Sequence, residues 1–374
     1  MSKSTLKTSA PHVSTVTVTL KILLLLGCLY VFIVGITAMG ASFKLFGKGF
    51  AESMLNTTSS PFVGLFIGIL ATAIVQSSST TTTLVVGMVA GGAITIEGAI
   101  PMVMGANIGT TVTCLMVSMG QMARRAEFKR AFAAATVHDF FNLITVAVLF
   151  PLELATGFLA KSAGAMQSAF AGVGGMKLAN PLKAAVKPVV GWLQELVRDQ
   201  PIALFIIAIL LIIGMLIAIV KVLRSLVLER VEAFFNQHLF RDAGRAMAFG
   251  LLLTCAVQSS SITTSLAVPL AGAGILTLAQ IFPYAMGANV GTTITAILAA
   301  LATGNPAAVT VSFAHLLFNL SGILLIWPHP KIRTIPIKCA EWLSGHAEKR
   351  LWVPFVFALL LFFVIPILLI TLFR

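Results

Sequence analysis

Gln76-Ser-Ser-Ser-Thr-Thr-Thr-Thr83 sets eight consecutive hydrogen-bonding side chains inside an otherwise apolar run from Phe62 to Val89. A second stretch, Gln258-Ser-Ser-Ser-Ile-Thr-Thr-Ser265, repeats it 182 residues later with six of eight positions identical. At membrane depth no water satisfies such groups, and each unpaired donor or acceptor costs roughly several kcal/mol. The rest of the chain must enclose these runs or let them line a wet cavity.

Composition places the runs at membrane depth. Of 374 residues, 58% are hydrophobic and 10% charged, and the mean hydropathy is +1.01. A soluble domain carries about 25% charged residues. The net charge of +13 is concentrated between apolar segments, as in cytoplasmic loops under the positive-inside rule. It is not interleaved with exposed aromatics, so no nucleic-acid partner is expected. Cys28, Cys114, Cys255 and Cys339 show no CxxC spacing and read as inert, without disulfide or metal roles. The first apolar run lacks a cleavage pattern followed by a soluble domain, so it reads as a span and not as a removed signal.

At roughly 20 apolar residues per crossing, the chain has seven: Leu20–Gly40, Ile100–Gly120, Ala131–Pro151, Pro201–Val220, Ile281–Leu301, Ala307–Trp327 and Leu351–Phe373. Pro61–Ile94 and Gly244–Gly274 read as re-entrant hairpins with the glutamine at each tip; a single tilted span is the alternative. Lys44 to Leu55 is weakly amphipathic, and Ser225–Phe240 reads as an interfacial amphipathic helix. Gly105-Ala-Asn-Ile-Gly-Thr-Thr111 and Gly287-Ala-Asn-Val-Gly-Thr-Thr293 interrupt two spans. The asparagine favours a locally unwound helix; a small-residue packing face is the other reading.

The repeat is the most specific signal. Pro101–Thr113 matches Pro283–Thr295 at nine of thirteen positions, and each tip glutamine precedes its Gly-Ala-Asn glycine by 29 residues. His138, Asn142, Leu143 and Pro151 pair with His315, Asn319, Leu320 and Pro328 at an offset of 177. If the hairpins do not cross, three crossings precede the second copy, which then enters inverted. The basic stretches Arg124–Arg130, Lys221–Arg245 and Lys331–Lys338 all fall inside on this count. The predicted fold is an all-α integral membrane protein of two inverted structural repeats, each with a re-entrant hairpin and a broken transmembrane helix. Its parts are a cytoplasmic tail (1–19), a first repeat (20–151), an external loop with short helices (152–200), a second repeat (201–328), a cytoplasmic linker (329–350) and a final span (351–374). The N-terminus is expected inside and Arg374 outside.

Inverted repeats are a transporter architecture, with the site at the midplane where the copies meet. Helix N-termini at the hairpin tips offer free N–H groups and partial positive charge, which suits an oxyanion. Gln76, Ser77, Ser78 and Ser79, with Ser259, Ser260 and Ser261, form the candidate anion cradle. Neutral oxygens from Gln, Asn and Thr suit sodium. Together they outline a sodium-coupled anion symporter. Asp139 stands inside a span, where its counterpart is Leu316. It is a functional candidate by position: a cation ligand, a proton carrier, or a partner of a basic residue such as Arg130. His138 and His315 read as packing residues with one hydrogen bond. Ser, His and Asp together invite a hydrolase reading, but no strand-turn-helix nucleophile elbow is present, so no enzyme is expected.

Gln76-Ser-Ser-Ser79, Gly105-Ala-Asn-Ile-Gly-Thr110, the stretch Arg130–Asp139 and Asn142 resemble the first half of type II sodium-dependent inorganic phosphate cotransporters. Gln258-Ser-Ser-Ser261, Asn289-Val-Gly-Thr-Thr293 and Phe318-Asn-Leu-Ser-Gly-Ile-Leu324 resemble the second half, and a bacterial, Vibrio-type branch resembles it most. The resemblance implies sodium-driven import of phosphate by alternating access, with both QSSS segments binding phosphate. It implies one sodium site at Gln258, Ser259, Thr292 and Thr295, and further sodium ligands among Asn107, Thr110, Thr113, Asp139, Asn142 and Asn289. An Asp at position 139 goes with electrogenic transport of three sodium ions per divalent phosphate. Cys114 and Leu115 stand where mammalian members have a polar pair, and the external loop has no cysteine. Expected partners are phosphate, sodium as coupling ion and the lipid bilayer of a bacterial inner membrane, with no cofactor and with a homodimer left open. Sodium-coupled symport of another oxyanion or a dicarboxylate is the alternative; a dicarboxylate usually recruits an arginine, which the core motifs lack.

Overall fold

The computed structural model describes residues 15–46, 60–175, 179–231 and 240–373, and every regular element among them is helical. The first helix, α1 (Thr15–Phe46), precedes the hairpin α2 (Pro61–Val75) and α3 (Ser78–Gly91). Then come α4 (Ile96–Gly109), α5 (Val112–Met119), the long α6 (Arg125–Thr156), α7 (Phe158–Gly172) and α8 (Ala179–Leu196). The second half runs through α9 (Pro201–Val231), the hairpin α10 (Ala243–Val257) and α11 (Ser260–Gly272), α12 (Leu278–Thr303) and α13 (Pro306–Ile326). It closes with α14 (Pro330–Lys349) and a last span, α15 (Val353–Leu359) and α16 (Ile365–Phe373), joined by a π-helical turn at Leu360–Val364. Pro366 lacks the N–H of a regular ladder, which accounts for the widened turn. Among the described residues, seven helices are long and apolar enough to cross a membrane, at the seven predicted places.

Both polar runs fold as helix–turn–helix, so the hairpin reading holds and the tilted span does not. Thr81 and Thr82 after the first tip and Thr263 and Thr264 after the second pair within their own helix, while Thr83 Oγ1 is buried without a partner. Thr82 Oγ1 donates to Ser78 O at 2.8 Å and Thr264 Oγ1 to Ser260 O at 2.8 Å. This back-bonding to the preceding turn lets a polar helix start lie buried.

The two Gly-Ala-Asn motifs do not behave alike. α4 ends at Gly109 and α5 starts at Val112, a break at Thr110–Thr111. α12 runs unbroken from Leu278 to Thr303, so the predicted second broken helix is not there. The reason is one side chain. Asn142 Nδ2 donates to Asn107 O at 2.9 Å, which diverts the carbonyl that Thr111 N would use. A side chain inserted into the ladder is a recognised cause of a kink. The equivalent Asn319 donates instead to His315 O on its own helix, at 3.2 Å.

The motif glycines serve close packing in both halves. A Cβ on Gly109 would lie 2.6 Å from Ile69 O, and one on Gly291 would lie 2.7 Å from Thr254 Cβ. α2 thus lies backbone to backbone on α4, as α10 does on α12. The returning arms cross over: α3 packs on α12, and α11 packs on α5 and α6. Each tip is thereby held between its own half and the other.

Of the predicted external loop 152–200, the first residues continue α6 to Thr156, and α7 and α8 follow. Leu159 and Ala163 of α7 and Val186 and Val190 of α8 join the main core, and the Phe170 and Phe313 rings meet edge-on at 5.7 Å. The predicted linker is α14, packed along α6. α9 continues to Val231 without a break, so no separate helix begins at Ser225. Lys48, Phe50, Met54, Leu55, Phe234, Phe235, Arg374 and the tail up to Ser14 lie outside the described residues.

Candidate functional site

Both tips have the same backbone. Gln76 (φ 54°) and Gln258 (φ 56°) occupy the left-handed region, which a non-glycine residue enters at about 1–3 kcal/mol. Each closes the preceding helix, its N–H donating to Thr72 O at 2.7 Å or Thr254 O at 2.6 Å. The next serine caps the following helix. Ser77 Oγ accepts from Thr80 N at 3.2 Å, and Ser259 Oγ accepts from Ile262 N at 3.3 Å. Each tip therefore presents the N-terminal turn of a helix, whose first N–H groups have no acceptor within the helix.

The two tips share one cavity of about 370 Å³, lined by Gln76, Ser77 and Ser79 from the first half and by Gln258, Ser259 and Ser261 from the second. Thr80 and Thr113 add polar atoms, and Ile213, Ile217 and Lys221 of α9 form the opposite wall. Ser78 and Ser260 are buried outside this lining. Five of the seven predicted cradle residues are thus brought together, with Gln258 and Thr113 from the sodium set. Such a space has the right character for a small oxyanion: hydroxyl donors, two helix starts and one cation.

The remaining sodium candidates fall into two groups. Gln258 Oε1 accepts from Thr295 Oγ1 at 2.7 Å, and Gln258 Nε2 donates to Cys255 O at 2.7 Å. Thr292 is buried one turn away, its hydroxyl on Ala288 O. The second group lies behind the cavity. Asn142 joins Asn107 O to the side chain of Asn289, whose Nδ2 donates to Asn142 Oδ1 at 2.9 Å. His138 Nε2 meets Asn289 Oδ1 at 2.6 Å. Asp139 is fully buried and accepts from Thr111 Oγ1, while its Oδ2 has no protein partner.

Ser261 Oγ donates to Thr110 O at 3.5 Å, so the cavity wall and Asp139 are linked through the Thr110–Thr111 break. Arg130 does not pair with Asp139; its guanidinium donates to Gly272 O at the end of α11. His138 is buried with the one hydrogen bond expected of it, which joins the two halves. His315 is buried with neither ring nitrogen paired.

Three residues of this site were not among the predicted ligands. Thr80 belongs to the polar run and was within reach of the motif. Thr111 follows the predicted Thr110 directly. Lys221 reads in sequence as the first charge beyond a span, and nothing in the pattern shows that it faces the tips. The two readings of the glycine motifs divide between the halves: both motifs serve as packing faces, and the first is also interrupted as the unwound reading expects, at Thr110–Thr111, while the second stays helical.

A family model described as Na+/Pi-cotransporter matches residues 31–179 and 210–334. Sodium-dependent phosphate transport protein 2B of Homo sapiens is 32% identical over 444 aligned residues, covering 93% of this chain and 64% of that protein. The 2B protein of Pongo abelii matches with the same identity and coverage. Sodium-dependent phosphate transport protein 2A of Rattus norvegicus is 33% identical over 93% of this chain and 67% of its own length. The chain thus spans a little under two-thirds of the 2B relatives. No solved structure matches it.

Proposed function

The chain belongs to the Na+/Pi-cotransporter family, and from that premise we propose that it is a sodium-coupled symporter importing inorganic phosphate by alternating access. One observation carries the reading: two hairpin tips of matching backbone, one from each half, converge on a single cavity of hydroxyls and helix starts. Phosphate is held there by Ser77, Ser79, Ser259 and Ser261 together with the first N–H groups of α3 and α11. Ser78 and Ser260 contribute through those backbone N–H groups. Sodium is taken by neutral oxygens, with Gln258, Ser259, Thr292 and Thr295 as one site. Asn107, Thr110, Thr113, Asn142 and Asn289 supply further oxygens, and Asp139 provides the negative one.

The two halves are inverted relative to each other, with the N-terminus in the cytoplasm and the C-terminal end of α16 outside, in a bacterial inner membrane. On that orientation the cavity, which reaches Lys221 near the end of the α9 span, opens inward. With Asp139 charged, three sodium ions accompany each divalent phosphate and one net positive charge enters per cycle. A homodimer is compatible with this scheme, since the site draws on one chain.

In proteoliposomes, radiolabelled phosphate uptake should require an inward sodium gradient and should speed up when the interior is negative. Excess sulfate should compete poorly. Gradient-independent uptake removes the symport mechanism, voltage-insensitive uptake removes the electrogenic stoichiometry, and efficient sulfate competition reassigns the substrate to oxyanions in general.

A further inference from the structure

Among the described residues, Lys221 is the one charged side chain on the wall of the tip cavity. It is exposed, and the ion pairs among the described residues, Arg124–Glu127, Lys129–Glu348 and Arg245–Asp242, leave it without a carboxylate. Its neighbours on α9, Ile213, Leu216, Ile217 and Val220, are apolar, so among the described residues the ammonium is the one full charge that an ion in the cavity meets beside the hydroxyls. The nearest buried charge candidate, Asp139, sits behind the Thr110–Thr111 break and has the opposite sign.

We propose that Lys221 forms the anion-entry subsite of this cavity: it selects phosphate by charge at the open face and positions it for transfer to Ser77, Ser79, Ser259 and Ser261. The assignment rests on the symporter reading. Its chemistry is that of a single strongly hydrated point charge on a flexible stem at the mouth of a low-dielectric cleft, which raises the local concentration of the ion of opposite sign. Because the tips supply only neutral donors and helix-end partial charges, Lys221 is what makes the open face prefer a dianion to a monoanion. Its contribution belongs to one membrane face, since the residue lies at the end of a single helix that has no counterpart charge on the other side of the cavity lining.

The test measures phosphate binding and transport separately. Wild type, Lys221→Gln and Lys221→Arg are purified, and radiolabelled phosphate binding is read by equilibrium dialysis in detergent with sodium present. Lys221→Gln should weaken binding about five-fold to ten-fold, the size expected of one partly solvated charge acting on a dianion. The loss should shrink as ionic strength rises, and Lys221→Arg should restore most of it. In oriented proteoliposomes the half-saturating phosphate concentration should rise only on the cavity's open face, with the maximal rate and the half-saturating sodium concentration little changed. Equal binding by Lys221→Gln and wild type, a deficit that Arg does not repair, or an equal rise on both faces overturns the entry subsite and leaves the symporter reading standing. Wild-type protein that binds no phosphate overturns both.

Discussion

The closest helix pair in the second half gives a sharp test of how the tip is held. A Cβ built on Gly287 would lie 2.7 Å from the Met247 carbonyl carbon and 3.0 Å from Leu251 N. Both atoms are backbone, so no side chain can swing away, and α10 and α12 must separate. The Met247 carbonyl oxygen lies nearer still and sets the shift, which exceeds about 1 Å, and a radial gap of about 0.5–1 Å already forfeits about a quarter to a half of each neighbouring dispersion contact. Overpacking of this kind costs typically about 1–3 kcal/mol, and the seam runs along the length of α10, so the upper part of that range is expected for Gly287→Ala. At about 2–4 °C per kcal/mol for a chain of moderate size, the melting temperature in detergent should fall by about 5–10 °C. α10 also carries Gln258, so phosphate uptake should fall with it. Gly214→Ala is the control, because a Cβ there meets nothing within 4 Å. Equal melting temperatures and uptake rates for the two variants would refute the close-packing account of the Gly-Ala-Asn motif.

Three further outcomes test other contacts. Asp139→Gly should abolish sodium-coupled charge movement while leaving slower, voltage-insensitive phosphate uptake; currents equal to wild type under voltage clamp would contradict the role given to this carboxylate. Thr295→Val removes the hydroxyl on Gln258 Oε1 and should raise the half-saturating sodium concentration several-fold, at a stability cost of about 1 kcal/mol; unchanged sodium dependence would place the sodium site elsewhere. Asn142→Leu removes the donor that diverts Asn107 O, so the Thr110–Thr111 break should close into continuous helix. Slower amide hydrogen exchange around Thr111 would register the closure, and exchange as fast as in wild type would show that the break has another cause.

Spans, hairpins and tips were legible because each rests on a local rule. Apolar length sets the crossings, and a glutamine before a serine N-cap marks each turn. Two facts were not legible. The first is that α12 stays whole where α4 breaks. Gly105–Thr111 and Gly287–Thr293 differ only by Ile108 against Val290, so nothing local separates them. The difference arises in the hydrogen-bond partners of the two asparagines: Asn142 donates to a carbonyl on the neighbouring helix, Asn319 to one on its own. The second is the direction of Lys221. A lone charge at the end of an apolar helix carries no facial pattern, and only the rotation of α9 against the tips decides what it meets.

The same comparison bears on mechanism. The tip backbones and serine caps match, but several equivalent side chains in the two halves hold different partners. Gln258 holds Thr295, while Gln76 donates to Met116 Sδ and Thr113 Oγ1 has no partner. His138 holds Asn289, while His315 holds nothing through either ring nitrogen. Sequence symmetry therefore coexists with bonding asymmetry, and on the proposed symporter reading a second arrangement, with the roles of the halves exchanged, would be comparable in energy to the one present. Buried groups left unpaired cost about 1–3 kcal/mol each, so the unpaired set at Thr113, His315 and Asn319 Oδ1 is what a second arrangement can recover by giving up the contacts of Thr295, His138 and Asn142. Such an exchange would transfer contacts of the same kinds between halves, except at Asp139, whose counterpart is Leu316, and on the proposed symporter reading this would keep the two arrangements within a few kcal/mol of each other, as alternating access would require.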